Sequence, residues 1–178
     1  LCYPISSMGS HVSVIPNHQV FRKTPLHTRA NVAYFGTFGY ELDLNSLKEE
    51  EIAEVKEQII FMKKYRKLFQ FGDFYRLKSP FEGNETIWMV VSEDKKTAIV
   101  GYYRTLNGVN QAYSRIKLQG LDPDMLYENI LNKTENYGDE LMNFGLITTD
   151  VTAGEGPGDA TPCTDFESRI YILKAKEK

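Results

Sequence analysis

The sequence predicts an α/β segment followed by an all-β domain, on three observations. Residues 1–72 alternate strand-like and helix-like stretches, the order of a βαβα unit with parallel strands. From Asp73 onward, short β-rich runs alternate with turn signals, the pattern of an antiparallel sandwich. The strongest amphipathic helix, residues 46–69, stands just before the change.

The first stretch, Leu1-Cys2-Tyr3-Pro4-Ile5, reads as the tail of a strand already under way, so the chain is expected to be a piece of a longer protein. A polar loop follows from Ser6 to about Gln19, with Gly9, Pro16 and Asn17 as turn residues. Loops of this composition often carry substrate contacts. His11, His18 and His27 lie seven and nine apart, which matches no compact metal spacing, so no metal site is expected. Cys2 with His11 is too little for a thiol nucleophile.

A helix is expected from Thr24, with Thr24 as N-cap and Pro25 at the first helical position. Leu26, Ala30, Ala33 and Tyr34 then share one face, and Gly36 or Gly39 ends the helix. Tyr40-Glu41-Leu42-Asp43-Leu44 alternates as a short strand, placing Glu41 and Asp43 on one face. A bare carboxylate pair invites a glycosidase or metal reading, but a polar strand end with solvated or Arg-paired acids is the expected one, since no third feature stands behind the pair. Ser46 and Glu49 form a capping box, with Glu49–Glu51 in the first turn and Lys63, Lys64, Arg66 and Lys67 near the end, the polarity the helix dipole favours. Ile52, Val55, Ile59 and Met62 are the expected apolar stripe, and Gly72 the stop.

Strands are expected over 74–77, 86–91, 98–103, 114–118, 127–131 and 169–173, and a short edge strand over 139–145. The near-continuous apolar runs 86–91 and 98–103 belong at the centre, covered on both faces. Residues 148–165, with Gly154, Gly156 and Gly158, form a long loop with no helix after it, so no phosphate cradle is read there. Trp88, Tyr102, Tyr103 and Tyr113 are either core or a sugar platform, and core is the expected reading.

Composition excludes several classes. The net charge is −3 with mixed signs, which excludes a basic nucleic-acid face. No apolar run approaches the roughly 20 residues of a membrane helix, and no signal peptide is visible. Two cysteines, Cys2 and Cys163, suit a reducing compartment. Asn84-Glu85-Thr86 and Asn132-Lys133-Thr134 are read as chance sequons.

Several ordered blocks carry a family resemblance. They are Tyr3-Pro4, Ser7-Met8-Gly9-Ser10-His11-Val12-Ser13, Pro16-Asn17-His18-Gln19, Thr24-Pro25-Leu26, Phe38-Gly39-Tyr40-Glu41-Leu42-Asp43-Leu44, Gln70-Phe71-Gly72-Asp73-Phe74-Tyr75-Arg76-Leu77 and Gly120-Leu121-Asp122. Together they resemble the C-terminal part of family 36 glycoside hydrolases, the retaining α-galactosidases. Val20-Phe21 departs from the small or polar pair usual there, and residues 148–164 match least.

The resemblance implies that residues 1–71 are the last βαβα portion of a (β/α)8 TIM barrel and 72–178 a C-terminal antiparallel β-sandwich domain. It implies hydrolysis of terminal α-galactosyl groups of raffinose- and melibiose-type oligosaccharides by double displacement, without cofactor. Nucleophile and acid/base are expected upstream, so no catalytic residue is assigned here and the chain alone is expected to be inactive. Ser7, Met8, Gly9 and His11, as the loop of barrel strand seven, are the expected substrate-binding residues. The missing upstream barrel portion is the expected partner, in an oligomeric, cytoplasmic bacterial parent with no nucleic-acid or membrane partner. The alternative is a non-catalytic sandwich that binds carbohydrate or serves structure and assembly.

Overall fold

The computed structural model describes residues 3–108, 114–148 and 165–176. The chain divides into two units, Leu1–Gly72 and Asp73–Lys178.

In the first unit, β1 (Gly9–Ser13) and β2 (Thr37–Glu41) pair in parallel, joined by α1 (Leu26–Ala33) and followed by α2 (Glu49–Phe71). Parallel strands need a crossover, and α1 supplies it. The expected strand at the start of the chain is corrected. Ile5–Ser7 is a 3-10 turn and the strand is Gly9–Ser13, within the stretch read as loop. Only Val12 is apolar and fully buried in it, so no hydrophobic run announced the strand.

The register places Val12 beside Tyr40 and Ser10 beside Phe38. These residues share the face that meets the helices. Tyr40 Oη donates to Gln58 Oε1 of α2 at 2.8 Å, and Gln58 Nε2 donates to Glu54 Oε1 at 2.7 Å. Gln58 is buried, and both ends of its amide are thereby satisfied. Burial, with the charge of Glu54, pushes the Tyr40 hydroxyl up to about 12, so it stays a donor at neutral pH. The buried stripe of α2 is therefore Val55, Gln58, Met62, Tyr65 and Phe69, rotated from the expected one: Ile52 lies at the surface and Ile59 is half-buried. Tyr34 packs against Phe38, Phe61 and Phe69 with ring centroids 4.7–5.9 Å apart. A Cβ on Gly36 would sit 2.5 Å from that of Ser10, so the chain enters β2 only with glycine there.

Helix starts also differ from expectation. Pro25, not Thr24, is the N-cap of α1. Ser46 closes a 3-10 turn by donating to the Asp43 carbonyl at 2.7 Å, and Lys48 precedes α2, its N–H donating to Glu51 Oε2 at 2.9 Å. Only the carboxylate half of a capping box is thus formed, two residues later than the Ser46–Glu49 spacing implied, because a lysine side chain cannot accept the return bond.

In the second unit, the sheet order is β3–β4–β5–β10–β7–β8, wholly antiparallel: β3 (Asp73–Lys78), β4 (Glu85–Val91), β5 (Thr97–Arg104), β7 (Leu126–Asn129), β8 (Glu135–Tyr137) and β10 (Glu167–Ala175). The apolar strands β4 and β5 are interior, as their runs implied. Among the described residues the covering layer is not a full sheet. It is a ribbon of β6 (Arg115–Ile116) and β9 (Leu146–Ile147), residues Leu118 and Leu121, and α3 (Gly138–Asn143). The expected edge strand over 139–145 is corrected to α3 by its capping: Glu140 Oε2 accepts from the Tyr137 N–H at 2.8 Å, and Asp139 and Glu140 fill the first turn. Trp88 and Tyr103 pack together 5.2 Å apart, whereas Tyr102 points to the opposite, core face. Tyr113 and the Gly154–Gly158 stretch lie outside the described residues.

One end of the core face is ionic. Glu85, Arg104 and Glu167 are register partners across β4, β5 and β10. Arg104 and Arg169 both pair with Glu167, and Lys78 pairs with Glu85. Tyr102 Oη donates to Glu85 Oε1 at 2.7 Å. Burial, the largest single influence on Glu85, raises its pKa; the hydrogen bonds from Lys78 and Tyr102 with the charges of Lys78 and Arg104 together outweigh it, so the carboxyl sits below its ordinary value. A depressed folded-state pKa stabilises the fold above the unfolded value near 4.5, and that stabilisation is lost as pH falls through the folded value. Glu85→Gln is expected to cost about 1–2 kcal/mol at neutral pH, since it removes the charged acceptor shared by Lys78 and Tyr102 while leaving Lys78 partly open to water. It should also flatten the loss of stability below pH about 4.5, and chemical denaturation of both proteins between pH 3 and 7 measures both effects.

Candidate functional site

Two features mark the C-terminal ends of the parallel strands, where βα-loops of such folds gather chemistry. The first is the strand face turned away from the helices. By register it carries Gly9, His11 and Ser13 of β1 and Thr37, Gly39 and Glu41 of β2. His11 lies opposite Gly39, which leaves space for its ring, and its Nε2 lies 2.5 Å from Glu41 Oε2. Both side chains stay accessible, at 51% and 72%.

The second feature is the loop between Ser13 and Leu26. Arg29 of α1 spans its base: Nε donates to the Thr24 carbonyl at 3.1 Å and Nη1 donates to the Ser13 carbonyl. A planar fork suits two acceptors held a fixed distance apart. Asn17 organises the tip. Its Oδ1 accepts from the N–H groups of Gln19 at 3.0 Å and Val20 at 3.1 Å. Its backbone bonds to Arg22 and Phe21 at 3.0 and 2.8 Å. The Ile15–Pro16 peptide is cis.

The expected site residues fall differently from the loop that was inferred. Ser7 lies in the 3-10 turn, where Oγ donates to the Pro4 carbonyl at 2.9 Å, and the Met8 carbonyl accepts from Thr37 N at 2.8 Å. Gly9 opens β1 opposite Thr37. All three are at the strand's N-terminal end; only His11 lies on the open face toward the other end. Glu41 and Asp43 are not a strand-face pair. Glu41 ends β2, and Asp43 caps a 3-10 turn by accepting from Asn45 N at 2.9 Å. His18 and His27 are exposed, and neither lies on β1 or β2. Among the described residues no three His, Cys, Asp or Glu side chains converge as metal ligands would. Cys2 is outside those residues. Sequence reasoning missed Ser13 as a strand end and Arg29 as the loop's staple; the signal for the first was the alternation of Ser10, Val12 and His11, Ser13.

A groove of about 450 Å³ flanks β2, lined by Thr37, Phe38, Gly39 and Tyr40 and by Ile59, Met62, Lys63, Arg66 and Gln70 of α2. Four consecutive strand residues line it, so it runs along an edge rather than a face. That edge has no strand partner among the described residues. No helix among them is long and apolar enough to cross a membrane.

Two family models match. The glycosyl hydrolase family 36 C-terminal domain covers residues 85–173, and the melibiase model covers residues 1–72. Alpha-galactosidase AgaA of Geobacillus stearothermophilus is 52% identical over all of this chain and 23% of its own length. Alpha-galactosidase 1 of Pediococcus pentosaceus is 39% identical over 98% of this chain and 22% of its own length. The chain thus spans about a quarter of the length of the curated relatives it matches. Among solved structures, the family 36 α-galactosidase AgaA of G. stearothermophilus in complex with raffinose superposes with a TM-score of 0.88 at 45% identity, over 98% of this chain and 23% of that one. The α-galactosidase of Lactobacillus brevis gives 0.89 at 42%, over 99% and 23%.

Asn17→Ala removes the acceptor that shapes the loop tip. The expected result is a loss of about 1 kcal/mol with faster amide exchange confined to residues 19–22, read by hydrogen exchange and mass spectrometry. Unchanged exchange there would show that Asn17 is dispensable to the loop.

Proposed function

Because the chain belongs to glycosyl hydrolase family 36, we propose that it is the C-terminal part of an α-galactosidase. In this reading β1 and β2 are strands seven and eight of a (β/α)8 barrel, α1 and α2 are their helices, and the free edge of β2 receives the first barrel strand. The enzyme removes terminal non-reducing α-D-galactosyl groups from raffinose- and melibiose-type oligosaccharides.

The observation that carries the reading is the two-sided character of the parallel pair: Val12 and Tyr40 face the helices, while His11, Ser13 and Glu41 stay open at the strands' C-terminal half. A retaining glycosidase needs two carboxylates about 5 Å apart. Here Glu41 is engaged by His11 and Asp43 by Asn45, so nucleophile and acid/base are assigned to residues outside this chain. His11, Ser13 and Glu41 then border the sugar pocket and fix the loop roots around it. Ser7, Met8 and Gly9 hold β1 from below rather than touching sugar.

For residues 73–178 we propose a structural and assembly role. Trp88 is half-buried and meets Phe74 edge-on and Tyr103 at a tilt, a packed cluster rather than a ring standing free in solvent as a sugar platform does. The two cysteines suit a cytoplasmic bacterial parent, which we take to be a homo-oligomer as the family resemblance implies.

The test is turnover of an aryl α-galactoside by this chain alone and after mixing with a separately made upstream portion. The expected outcome is silence alone and activity in the mixture. Turnover by the chain alone would overturn the assignment and make His11, Glu41 and Asp43 the residues to mutate.

A further inference from the structure

The loop at the C-terminal end of β1 presents its largest side chain at its least comfortable position. Phe21 has φ of 53°, the left-handed region in which a bulky residue is strained and glycine is not. Its side chain is not buried in compensation: Phe21 is 77% exposed and Val20 beside it 61%. Both terms disfavour phenylalanine in the folded chain. The backbone cannot relax to relieve it, because Phe21 N donates to the Asn17 carbonyl, Asn17 N to the Arg22 carbonyl, and Arg29 ties the loop's base. A strained residue that the surrounding structure over-determines is a signature of a ligand clamp.

We propose that Phe21 is a specificity-determining residue, an aromatic platform for the sugar ring of the leaving group, beyond the galactosyl unit. This rests on the α-galactosidase reading above and adds the part of the substrate that this loop reads. Three observations select a sugar as the occupant. The loop leaves the end of a parallel strand at which substrates of such folds bind. The ring is held on a locked backbone, so stacking costs little further ordering. The same loop carries the exposed hydrogen-bonding side chains of His18 and Gln19, so it offers an apolar ring and polar groups together, the mixture that carbohydrate rings, with C–H faces and hydroxyl rims, fit.

The experiment uses the full-length protein with Phe21→Gly and Phe21→Tyr. It compares kcat and KM for raffinose with those for methyl α-galactoside, which has no second ring. The expected result for Phe21→Gly is a fall of about tenfold in the raffinose to methyl galactoside ratio of kcat/KM, carried mainly by KM. Phe21→Tyr should keep the wild-type ratio. The melting temperature of Phe21→Gly should not fall, since glycine relieves the strain. An unchanged ratio overturns the proposal. So does an unchanged ratio accompanied by altered sedimentation, which would make Phe21 a subunit contact. If the unaltered full-length protein cleaves neither sugar, the α-galactosidase reading itself fails, a result distinct from a failed platform.

Discussion

The parallel register of Gly9–Ser13 against Thr37–Glu41 decides the rest of the first unit. With alternation of period two, pairing Val12 with Tyr40 commits Ser10 and Phe38 to the helix side, and His11, Ser13, Gly39 and Glu41 to the other. A slip by one residue would turn Val12 outward and bury a histidine. The helices then follow: Tyr40 reaches Gln58, which rotates the buried stripe of α2, and the Tyr34 and Phe69 rings fill the space between. The face the helices do not need is left with the polar residues His11, Ser13 and Glu41.

The second unit solves a different problem with the same geometry. Its three central strands carry a continuous apolar core face, and that face closes at one end on Glu85, Arg104 and Glu167. Charges in such a place are tolerable only when each has a counter-charge and hydrogen bonds. Lys78, Tyr102 and Arg169 supply them. The row also fixes strand register, because a shifted strand would bury one of these charges opposite an apolar residue.

Much of this was legible in the sequence, and the misses have physical causes. The long apolar runs of β4 and β5 named themselves as interior strands, and the charge polarity of α2 named its direction. β1 was hidden because a strand with a polar inner face and one buried valine looks like a loop. α3 was hidden because six residues are too few for a helical period to show. Its acidic first turn was visible, but the capping contact from Glu140 to Tyr137 is a matter of geometry. The family blocks pointed to the stretch that holds β1 and the loop after it. Misreading β1 put Ser7 to His11 in a loop, whereas the strand runs through Gly9–Ser13, and the loop staple from Arg29 to Ser13 and Thr24 joins residues whose spacing carries no motif.

The last strand, β10, lies between β5 and β7. Sixty-odd residues of chain separate β5 from β10, and β7 and β8 are made in between. During synthesis, then, the sheet exists first as two incomplete halves, β3–β4–β5 and β7–β8, each with an exposed edge. Neither half can join the other until β10 has been made. Long-range closure of this kind is slow and leaves edges open to other chains. Removing β10 would therefore not trim the sheet at its border; it would divide it.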